Sequence, residues 1–187
     1  DPIVVQAHIV TALQTIASRT VDPLEGVVVS VTQVSSGNNY NVIPDTAHLG
    51  GTVRCFSKEV QDTTEETMRR LCENIGTAFG AKITVNYERR YPPLHNRSDQ
   101  IDLVASIAAD VVGADNVDTD SAAIMASEDF SFMLQERPGC FVNLGNGVGS
   151  VGGCTVHNPG YDFNDAALPY GATYWARLVE TLMEREA

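Results

Sequence analysis

Val5, Ile9, Leu13 and Ile16 recur at the four-, four- and three-residue spacing of one helix face. They follow Asp1-Pro2, a capping carboxylate and then the residue that suits the first helical turn, so a helix is expected over about 2–18. The period then changes to two. Val27, Val29 and Val31 alternate with Val28 and Ser30, and Ala47, Leu49, Gly51, Val53 and Cys55 alternate with His48, Thr52 and Arg54. Two strands are expected, joined through Ser35-Ser36-Gly37-Asn38-Asn39. A second helix, about 58–79, places Val60, Thr64, Met68, Leu71, Ile75 and Ala78 on one stripe and stops at Gly80, which supplies a left-handed cap. Ile83, Val85 and Tyr87 then alternate as a third strand, and Pro92-Pro93 breaks the pattern.

The order helix, strand, strand, helix, strand is that of a ferredoxin-like β-α-β-β-α-β unit lacking its first strand. It covers residues 1–92, and a second region runs over 93–187. There Ile101, Val104, Ile107, Ala108 and Val111 predict an amphipathic helix stopped by Gly113, and Ser127 is expected to cap a short helix carrying Glu128, Asp129, Phe130 and Met133. Cys140 to Leu144 reads as a short apolar strand that enters a glycine-rich loop through Gly153. A last helix, about 166–185, carries Leu168, Ala172, Trp175, Leu178, Val179 and Leu182. Helices alternating with short strands point to part of an α/β layer. A chain that opens at a helix cap without an initiator methionine is expected to continue upstream.

Composition narrows the partners. The 187 residues are 43% hydrophobic, enough for a packed core, and carry a net charge of -12. That sign argues against nucleic acid and against anionic lipid. No apolar run approaches the roughly 18 residues of a membrane span. Cys55, Cys72, Cys140 and Cys154 are scattered, without the paired spacing of a zinc knuckle or redox dithiol, which favours a reduced, cytoplasmic protein; two disulfides in a secreted protein would show the same count.

Four histidines are present, in no His-x-His or His-Glu-x-x-His arrangement. His8 on the first helix, His48 in a strand and His95 beside prolines read as structural. His157 follows the glycine-rich loop and precedes Asn158-Pro159-Gly160-Tyr161-Asp162, in the kind of strand-ending loop where α/β enzymes place ligands, although from local composition alone an ordinary turn histidine is the commoner case. Glu128 and Asp129 are explained as helix-capping charges. Arg54, with Asn41 nearby in sequence, could clamp a carboxylate bidentately, although a surface arginine is the commoner case. The loop from Gly145 to Gly153 lacks a P-loop lysine, so phosphate binding is not expected.

Taken in order, Asp1-Pro2, Leu13-Gln14-Thr15-Ile16 with Ser18-Arg19, Asn41-Val42-Ile43-Pro44-Asp45, Gly51-Thr52-Val53-Arg54, Glu128-Asp129-Phe130 and His157-Asn158-Pro159 through Asp162-Phe163-Asn164-Asp165 form a specific set. On these strings the chain resembles the two-metal aminoacylase, hippurate hydrolase and indole-acetyl-amino-acid hydrolase family. The resemblance implies an α/β fold: a ferredoxin-like dimerisation, or lid, domain for 1–92 and the last segment of a zinc-peptidase-like catalytic domain for 93–187. It implies that His157 is a metal ligand and that Asn41 and Arg54 reach the substrate's carboxylate.

The same resemblance places the family's His-Asp string, its paired glutamates including the general base, a further metal histidine and the lid histidine before Asp1. The implied chemistry is hydrolysis of the amide of an N-acyl amino acid by water activated on two divalent ions, zinc with manganese or cobalt as alternatives. A homodimer through the lid is implied for the intact enzyme. One histidine cannot hold zinc, so this chain alone is expected to bind no metal tightly and to be inactive. The competing reading is a non-enzymatic dimerisation module with a vestigial catalytic tail.

Overall fold

The computed structural model describes residues 1–149 and 151–186, a mixed α/β chain. They divide into two compact units, the first holding Asp1–Leu94 with Ile124–Ser131 and the second 95–123 with the residues from Phe132 onward.

In the first unit, α1 spans Pro2–Thr15, with Asp1 Oδ1 accepting from the Ile3 N–H at 2.9 Å. A π-helical turn, Ile16–Thr20, extends it. Val5, Ile9, Leu13 and Ile16, the expected stripe, are all buried. The hairpin comprises β1 (Val27–Ser36) and β2 (Ala47–Cys55), paired antiparallel with Val28 opposite Arg54 and Ser36 opposite Ala47.

β1 is longer than the alternation predicts because the register shifts between Val31 and Gln33, where Thr32 forms a bulge. The bulge brings Val34 opposite Leu49, although Val34 stays exposed, and the strand runs on through residues read as a linker. Gly51 lies opposite the bulged region, where a Cβ would come within 2.2 Å of the Ser30 carbonyl oxygen; only glycine fits that approach.

α2 (Lys58–Phe79) starts at Ser57, whose hydroxyl accepts from the Val60 N–H, and ends at Gly80 in the left-handed region. Its most buried face is rotated from the expected stripe. Val60 and Thr64 are buried as predicted, but Thr67, Cys72 and Gly76 join them, while Met68, Leu71 and Ile75 are half-buried and Ala78 is exposed. Small residues allow close packing here, since a Cβ on Gly76 would meet the Ala81 carbonyl at 2.7 Å. α1 and α2 pack together over one face of the hairpin, with Val29, Val31, Leu49, Ile83 and Val85 around the buried centre.

The expected third strand differs. Residues 81–88 alternate between half-buried and exposed, but they join no ladder, and the sheet has two strands among the described residues. Burial of one side sets the alternation, whereas a strand also needs a neighbouring backbone. Side chains hold this segment instead. Arg69 Nη1 donates to the Val85 carbonyl at 3.0 Å, and Arg89 pairs with Asp62 and Glu65 on α2.

In the second unit, α3 (Ser98–Val112) packs against α5 (Leu168–Glu186) and buries Ile107. The Cys140–Leu144 segment is not a strand. The Asn96 amide accepts from the Phe141 N–H and donates to its carbonyl, doing with a side chain what a strand partner would do. Asn146 likewise donates to the Asp162 carbonyl and accepts from the Asn164 N–H, which ties the glycine-rich loop to the chain entering α5. α4 (Phe130–Glu136) joins the two units in sequence.

Candidate functional site

Side chains alternate across a sheet, so the inward-facing Val29 and Val31 put Val28, and Arg54 beside it, on the face away from the helices. The half-buried Arg54 side chain meets the Ile124–Ser131 segment there. Its Nη1 donates to the Met125 carbonyl at 2.7 Å and lies 3.5 Å from the Ser127 hydroxyl. Its Nε and Nη2 make no hydrogen bond to the described residues.

Asn41 sits at the opposite end of the hairpin. It is exposed in the 37–46 connection, whose neck is closed by the Ser36 hydroxyl donating to the Thr46 carbonyl at 2.7 Å. Seven residues of extended strand separate Arg54 from Ala47, roughly 23 Å at strand rise. The connection that carries Asn41 therefore leaves β2 at the end far from Arg54.

Ser127 does not cap α4. Its hydroxyl lies toward Arg54, while the Glu128 carboxylate accepts from the Phe130 N–H at 3.3 Å and the Glu128 carbonyl accepts from the Ser131 hydroxyl at 2.6 Å. The capping role expected for the acids falls to Glu128. The link between Arg54 and the 124–131 segment was missed in sequence because two stretches some 70 residues apart carry no shared periodicity.

His157 is exposed, and its backbone is left-handed at φ 70°, the one positive value among the described non-glycine residues. It is the third residue of a turn closed by the Asn158 N–H on the Thr155 carbonyl at 3.3 Å. The Asn158 side chain then accepts from the Gly160 N–H at 2.8 Å, and the Asn158 carbonyl from the Tyr161 N–H. This chain of turns holds the imidazole outward, and its nitrogens bond to no described residue.

Of the other histidines, His8 stacks on Phe79 with ring centroids 4.7 Å apart, and the His48 carbonyl accepts from the Gln6 amide. The four cysteines are unpaired thiols, and burial pushes the Cys55, Cys72 and Cys140 thiols up. Among the described residues no three His, Cys, Asp or Glu side chains gather as a metal site. The donor set among the described residues therefore does not fit a two-metal centre by itself, since three or four protein ligands per ion are usual.

Residues 4–181 match the family model described as Peptidase family M20/M25/M40, and the chain belongs to that family. It is 33% identical to the hippurate hydrolase of Campylobacter jejuni, covering 95% of this chain and 45% of that protein. It is 34% identical to an N-acetylcysteine deacetylase of Bacillus subtilis, covering 98% and 47%. A solved structure, the Bacillus subtilis YXEP protein described as a dinuclear metal binding peptidase from the M20 family, superposes with a TM-score of 0.75 at 31% identity, over 98% of this chain and 46% of that one. The chain thus spans a little under half the length of the relatives it matches. No helix among the described residues is long and apolar enough to cross a membrane.

Proposed function

We propose that this chain is the lid domain, residues 1–92, and the closing catalytic segment, 93–187, of a metal-dependent amidohydrolase that cleaves N-acyl amino acids. The observation that carries the reading is Arg54: a half-buried cation fixed on the hairpin face away from the helices, with its Nε and Nη2 edge unengaged, in a family whose named relatives act on acylated amino acids. That edge matches a carboxylate bidentately. His157 would supply one ligand to a pair of divalent ions, zinc or alternatively manganese or cobalt, whose other ligands and general base come from outside this chain. Four unpaired thiols suit the cytoplasm.

The separation of Asn41 from Arg54 adds a condition. If both contact one substrate carboxylate, Asn41 must come from a second copy, so the working form is a homodimer through the lid. In the whole protein, Arg54→Ala and Asn41→Ala should each weaken binding of N-benzoylglycine by about 1.5–3 kcal/mol, the worth of a charge-assisted contact. Mixing the two variants should restore tight binding at about a quarter of the sites, because half of randomly paired dimers hold one site with both native residues. No recovery on mixing, with exchange of subunits verified, would overturn the shared arrangement. Equal losses on N-benzoylglycinamide would remove the carboxylate role.

A further inference from the structure

We propose that Met125 is a positioning residue for Arg54: its side chain locks the main-chain carbonyl that aims the guanidinium. The inference rests on the reading of Arg54 as the carboxylate-binding residue, and it concerns how that residue is held.

Both polar contacts of Arg54 fall on Nη1, to the Met125 carbonyl at 2.7 Å and near the Ser127 hydroxyl at 3.5 Å. Spending Nη1 in this way leaves the Nε and Nη2 pair as the presented edge. A long arginine side chain loses much rotamer freedom on capturing a ligand, and a site that has already fixed it binds more tightly. The carbonyl can do this only if it is itself immobile, yet Met125 lies in no helix or strand.

Its side chain supplies the anchor. A Cβ placed on Gly26 would come 2.8 Å from Met125 Cε and 2.7 Å from the Phe56 ring, so the thioether methyl lies against the Gly26 backbone beside that ring. Gly26 precedes β1 and Phe56 follows β2, which puts this notch at the same end of the hairpin as Arg54. Gly26 is not among the glycines with positive φ, so it is needed for room and not for conformation.

The test compares N-benzoylglycine with N-benzoylglycinamide in the whole protein. Met125→Ala should raise KM for the acid roughly three- to tenfold, with kcat and the amide's KM unchanged, because only the orientation of a charge-assisted contact is lost. Met125→Leu should restore most of the affinity, and Gly26→Val, which fills the notch, should reproduce the Met125→Ala defect. In the 187-residue chain, the Arg54 Nη1 protons, followed by NMR, should exchange faster in Met125→Ala than in the native protein.

A KM for the acid that stays at the native value in Met125→Ala, while Arg54→Ala raises it, overturns the positioning role and leaves the carboxylate reading standing. Unchanged exchange at Arg54 Nη1 overturns the positioning role whatever the kinetics show. If instead Arg54→Ala fails to distinguish acid from amide while Met125→Ala still frees Arg54 Nη1, the carboxylate reading falls and the packing assignment holds.

Discussion

His157 stands where the turn from Thr155 to Asn158 needs a left-handed residue, a place that glycine or asparagine fills at little steric cost. Histidine there is strained by about 1 kcal/mol, and side chains kept at such cost cluster at functional sites. A ring that only packed would be worth more than its strain. Replacing His157 by glycine should therefore leave the isolated chain as stable as the native one or up to about 1 kcal/mol more stable. If His157 holds metal in the whole protein as proposed, the same change there should strip it, measured by elemental analysis beside a thermal melt. Destabilisation of the isolated chain by more than 1 kcal/mol would make the ring structural.

Among the elements, the 81–89 segment shows how a stretch of alternating residues stays in place without a ladder. Arg89 reaches Asp62 at 2.5 Å and Glu65 at 2.8 Å, and Arg69 bridges Glu65 to the Val85 carbonyl. Hydrogen bonds from Lys58 and then Arg89 hold the Asp62 carboxyl below its usual range, and Arg69 and Arg89 do so for Glu65. Carboxyls lowered in the folded state contribute stability that is full above their unfolded range, about 4, and is lost as pH falls through their lower folded values. The melting temperature of Arg89→Ala should accordingly lie below that of the native chain at pH 7. The gap should narrow toward pH 2 and in about 1 M salt, since these pairs are open to solvent. A gap indifferent to both pH and salt would assign the effect to packing of the arginine stem.

For the whole molecule the decisive quantity is the number of metal donors. Three or four protein ligands per ion are usual, and the described residues gather no group of three. Purified alone, this 187-residue chain should neither hydrolyse N-benzoylglycine nor hold zinc through dialysis. A protein of the relatives' full length should do both, since the groups of one site act as a unit. Metal-dependent turnover by the isolated chain, abolished by a chelator and by His157→Ala, would require a site different from the one proposed.

Local rules were enough for much of the chain. The spacing of Val5, Ile9, Leu13 and Ile16, the caps at Asp1 and Gly80, and the existence of a strand over Ala47–Cys55 each depend on a few neighbouring residues, and all stand in the structure. His157 could be singled out because its turn-rich neighbours are adjacent to it. Pairing was decided elsewhere. Whether 83–87 and 140–144 become strands depends on a second backbone coming alongside, which no local pattern reports; a salt-bridged helix holds one and the Asn96 amide supports the other. The bulge at Thr32, the distance between Asn41 and Arg54, and the meeting of Arg54 with Met125 are likewise properties of register and long-range contact. The local pattern determined most of the inward faces, while the three-dimensional fold decided where a bulge or a close helix contact shifts them and which of the outward-facing residues meet.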